Sequence, residues 1–111
     1  MERTFTKAQR RRIRELARIA YERDLSEELA RLEGEFRRWR AGEISPFELS
    51  DAIHTFHQGP SRKLFSKYDE AGEEWAVAHA IHRGVIGAEE AGSEVLDLLA
   101  RQLAFLRDQT V

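Results

Sequence analysis

The chain has no cysteine, so neither a disulfide framework nor thiolate chemistry is open to it. Only two prolines occur, and both lie between Gly42 and Tyr68. β-Branched residues are sparse beside Ala, Leu, Glu and Arg, a balance that favours helices over sheets. No apolar run approaches the ~20 residues that span a bilayer, and the N-terminal MERTFTKAQRRR lacks the apolar centre of a signal peptide. A soluble, cytoplasmic protein with no membrane partner is therefore the expectation. No repeat, low-complexity tract or linker divides the 111 residues, a length suited to a single domain.

What is present is 41% hydrophobic and 34% charged, which suits helices with thin cores and wide solvated faces. The expected fold is all-α. It is a small helical bundle in which a basic N-terminal helix over 1–41 precedes a helical body of four or five shorter helices over 42–111. Thr6 with Gln9 reads as a capping box opening the first helix. Ile13, Leu16, Ala17 and Ala20 form one apolar stripe, and Leu25, Leu29, Leu32, Phe36 and Trp39 form a second. The step of five between Ala20 and Leu25 puts the stripes out of phase, and Asp24 with Glu27 is a candidate cap for a new helix there. An unbroken helix of about 35 residues would be roughly 50 Å long, whereas a compact domain of this size has a radius of gyration of about 13 Å. Such a helix overhangs its own domain, and the expected answer is a partner: a second copy in a homodimer, or another protein.

Gly42 ends this helix. The next start is complete, with Ser45 as N-cap, Pro46 at N1, Glu48 closing a capping box and Ile44 stapled to Leu49. Leu49, Ala52, Ile53 and Phe56 make its core face. Gly59-Pro60 is expected to stop it and Ser61 to cap a further short helix. Gly72 breaks the chain again, and Trp75–His82 should be a buried helix ending at Gly84. A short helix is expected around Ala88–Ala91, and Ser93 should cap the last one, in which Leu96, Leu99, Leu103 and Leu106 repeat at three and four.

Charge is uneven. Residues 1–23 carry eight Arg or Lys against three acids, whereas residues 24–58 carry four against eight. A basic head on an acidic body suits an acidic partner or the body of a second copy. Lys7, Arg11, Arg14 and Arg18 form a stripe, and with Leu25, Leu29 and Leu32 they are the expected partner surface. The same stripe suits nucleic-acid phosphates, although no second basic helix or aromatic platform accompanies it.

Two further sites come from residue types. A helix starting at Ser61 would offer unpaired N–H groups to an anion, with His57, Arg62 and Lys63 beside the Gly59-Pro60 turn. The pairs His54-x-x-His57 and His79-x-x-His82 would give a divalent metal four nitrogens if the two helices faced each other. Their phases on the helices disagree with that, and no cofactor is expected. Ser61, His57 and Asp51 supply the types of a hydrolytic triad without a G-x-S-x-G elbow, so no catalytic residue is assigned. The leading expectation is a non-catalytic interaction protein.

Overall fold

The computed structural model describes residues 5–70 and 72–109, and among them every regular element is a helix. Helix α1 runs unbroken over Lys7–Arg40, 34 residues. It opens on the predicted box: Thr6 Oγ1 accepts the Gln9 N–H at 3.1 Å, and the Thr6 N–H donates to Gln9 Oε1 at 2.9 Å. It closes in a left-handed turn at Gly42, φ 78°, where the Gly42 N–H reaches the Trp39 carbonyl and the Glu43 N–H the Arg38 carbonyl. These two bonds satisfy carbonyls that a helix end would otherwise leave open. No new helix starts at Asp24. Its side chain is buried and serves a tertiary contact described below.

Helix α2, Pro46–Phe56, starts as its residues dictate. The Ser45 and Glu48 side chains cap each other's N–H groups at 3.1 and 3.0 Å, and Ile44 and Leu49 are both buried. The expected stop at Gly59-Pro60 is not formed. A π-helical turn over His57–Ser61 carries the chain straight into α3, Arg62–Glu70. A proline ring collides with the carbonyl four residues back in an α-helix, and the wider π turn draws that carbonyl aside. The two helices and the turn are thus one rod, lying antiparallel along α1.

After Gly72, φ 93°, helix α4 covers Glu73–His82 and ends at Gly84. The short α5, Ala88–Ala91, leads to α6, Ser93–Leu98, and α7, Ala100–Gln109, which are interrupted only at Leu99. Gly92, not Ser93, is the cap residue of α6, and Ser93 makes no capping hydrogen bond. Glycine's freedom at φ 87° sets that turn instead.

The core lies at one end. Ile13, Leu16, Ala17 and Ala20 of α1 meet Ala76, Val77, Ala78 and Ala80 of α4, with Ile86, Val95, Leu98, Leu99 and Leu106 closing the far side. The run of alanines lets α1 and α4 approach closely. This is the head. Beyond Glu27, which still lines a cleft with Arg83, Gly84 and Val85, α1 is accompanied among the described residues by the α2–α3 rod, and the pair projects as an arm. The principal extents are 59 × 28 × 22 Å and the radius of gyration is 17.6 Å, well above the ~13 Å of a compact domain of this length.

Candidate interaction surface

At about 100° per residue, Lys7, Arg11, Arg14, Arg18, Leu25, Leu29, Leu32 and Phe36 all fall within about 60° of arc on α1. One face of a single helix is thus basic through the head and apolar through the arm. In the arm, α2 covers part of this face. Leu25 and Leu32 are half-buried, and a shallow groove of about 300 Å³ on one side is lined by Glu28, Leu32, Glu35, Ala52, Phe56 and Pro60. Helical phase places Leu29 and Phe36 of α1 and Ile53 of α2 on the opposite side, and Phe65 of α3 follows on the same rod beyond the π turn. These four are 47%, 37%, 40% and 56% exposed. Ile53, expected in the core face of α2, lies at its rim.

The basic half is only partly committed within the chain. Arg12 donates to the Glu90 carbonyl at 2.8 Å, and Arg23 grips the Glu90 carboxylate through two bonds of 2.7 Å while also reaching the Val85 carbonyl. That grip holds the Glu90 carboxyl below its ordinary range, the hydrogen bond outweighing the cost of desolvation. Arg14 forms an exposed pair with Glu73 at 3.4 Å. Lys7, Arg11 and Arg18 stand exposed. A cleft of about 530 Å³ beside them sets Arg10 and Arg14 against Glu73 and Glu74, so its charges offset each other.

Where head meets arm, Asp24 Oδ2 accepts the Tyr68 hydroxyl at 2.6 Å and the Arg83 guanidinium at 2.9 Å, and Tyr21 stacks on Tyr68 at 5.1 Å. Burial first, then the Asp24 carboxylate, pushes the Tyr68 phenol well above its ordinary value. For Arg83, burial works against the charge, but the bond to Asp24 prevails and holds the pKa above normal. The triad ties α1, α3 and α4 together. Sequence reading missed it, although a signal exists: Asp24 continues the Ile13–Ala20 stripe by one further step of four.

The other expected sites fare differently. Because the rod continues through Ser61, the Arg62 N–H is bonded to the Gly59 carbonyl, and the open helix start proposed to hold an anion is not formed. Arg62 and Lys63 remain exposed, with Arg62 3.5 Å from Gln58, and His57 is exposed on the turn before them. The metal constellation is not assembled either. His54, His57 and His82 face outward, His79 lies against Trp75, and among the described residues no three His, Asp or Glu side chains converge as ligands. The reason is phase: His54 lies nearly opposite the Leu49–Phe56 face of α2. Among the described residues no buried side-chain polar atom lacks a partner, and no helix is long and apolar enough to cross a membrane. No family model, no curated protein and no solved structure matches the chain.

Proposed function

We propose that this chain is a small non-catalytic interaction protein that self-associates through its arm. The observation that carries the reading is the row Leu29, Phe36, Ile53 and Phe65, large apolar side chains that each leave more than a third of their surface in water. Single exposed apolar residues are ordinary, but four large ones on a two-helix layer mark a contact surface. The accessible surface supports the same view. It is 8104 Å², against about 6,300 Å² for a compact monomer of this mass. A two-helix layer covers each apolar stripe from one direction only, and a second layer is the simplest cover for the other. The absence of cysteine supports a cytoplasmic setting within this proposal.

Sedimentation velocity across a concentration series tests it. The wild type should move toward twice its 12.9 kDa chain mass as concentration rises, and a Leu29→Glu, Ile53→Glu double variant should stay single while remaining helical. A wild type that stays single at every concentration removes the proposal.

A second reading rests on the exposure of Lys7, Arg11 and Arg18: the basic half binds an anionic polymer such as a nucleic acid. Fluorescence anisotropy with a labelled oligonucleotide at low salt, with and without an Arg11→Ala, Arg18→Ala change, tests this reading. Binding unaffected by the change excludes the stripe, and a parallel Arg62→Ala, Lys63→Ala variant asks the same of α3.

A further inference from the structure

We infer that the second copy binds antiparallel, so that the basic half of each α1 lies over the arm of its partner. This rests on the self-association proposed above and adds its geometry.

The first argument is area. The arm is about 24 Å long and two helices, about 20 Å, wide, so its apolar side offers roughly 500 Å². A stable interface buries about 800 Å² on each partner. Arms alone fall short, and contact must extend along α1 into the head. Among the described residues that path is open, because the head core packs on a different sector of α1 from the one that carries Arg11, Arg18, Leu29 and Phe36.

The second argument is charge. The basic and apolar stripes share one phase, so a parallel pair would set Lys7, Arg11, Arg14 and Arg18 of one copy against the same four of the other. Like charges placed so oppose association. An antiparallel pair separates them and brings residues 1–23, with eight bases to three acids, over residues 24–58, with four to eight. Glu33, one step around α1 from Leu29 and Phe36, holds an exposed pair with Arg37 at 2.6 Å and is the acid on that side that the incoming stripe would meet.

The chain has no cysteine, so a single introduced one carries a spin label at a chosen point. Ala41 is exposed and joins the α1 cap through its backbone N–H, so Ala41→Cys leaves the fold intact. An antiparallel pair that sets Glu33 over the partner's Arg14 crosses midway between residues 23 and 24. It places the two labels about 50 Å apart, whereas a parallel pair holds them within about 25 Å. Dipolar spectroscopy on the full chain should give the long distance. The dissociation constant should rise several-fold between low and high salt, because the stripe faces acids. A short distance, or a constant that salt leaves unchanged or lowers, overturns the antiparallel arrangement while the dimer stands. A single-chain mass with no intermolecular distance overturns self-association itself.

Discussion

The Tyr68 hydroxyl donates to Asp24 Oδ2 at 2.6 Å, joining residues 44 positions apart at the point where α1 leaves the head and enters the arm. Arg83 donates to the same oxygen from the C-terminal cap of α4. The carboxylate thus closes the bottom of the arm against the top of the head. A buried acid is costly unless its lone pairs are used, and here two donors use them.

Removing the acceptor should therefore cost more than removing one donor. Asp24→Ala leaves a buried hydroxyl and a half-buried guanidinium without their shared partner, and should lower stability by about 2–3 kcal/mol after allowance for the exposure of Arg83. Tyr68→Phe should cost about 1–2 kcal/mol. Urea denaturation of both variants and of the double variant checks the assignment. Strictly additive losses would show that the two side chains do not share one interaction.

The raised pKa of Tyr68 gives stability a pH dependence of definite sign. In the unfolded chain the phenol loses its proton around its ordinary value of 10.0, whereas in the folded protein it keeps it. The unfolded state then binds fewer protons, so stability is fully present below pH 10 and falls as pH rises beyond it. Tyr68→Phe should remove that alkaline component, which unfolding curves measured on either side of pH 10 would reveal. An unchanged slope in the variant would assign the loss to other groups.

Two glycines at the arm should respond in opposite directions. Gly34 sits inside α1 with open space where a Cβ would go, so Gly34→Ala should raise stability by about 0.5–1 kcal/mol. Gly42 has equal space but φ 78°, and Gly42→Ala should cost about 1–2 kcal/mol through backbone strain alone. Thermal unfolding of the pair decides it. A loss at Gly34 would contradict the open space around its Cα.

Much of the fold was legible because its signals are local. Thr6 with Gln9, Ser45 with Glu48, and the glycines at 42, 72 and 84 act through neighbours at fixed spacing, and each stands where its chemistry puts it. Gly59-Pro60 misled for the same reason. The local rule breaks the helix, whereas α1, running alongside, holds the rod together through a π turn. Asp24 carried a readable anomaly, a charge in phase with the head stripe, but its donors lie 44 and 59 positions away and no local pattern names them. The exposed row was half visible. Leu29 and Phe36 stood out as a stripe, but the side on which Phe65 emerges depends on how the π turn rotates α3 relative to α2.

Because α1 carries no break between Lys7 and Arg40, the projecting half has no joint of its own. Swinging it would mean opening consecutive backbone hydrogen bonds, so its bearing is set by the same rod that anchors the globular end. Whatever meets it encounters a stiff ruler of set length, and a mismatch in spacing must be absorbed by the visitor.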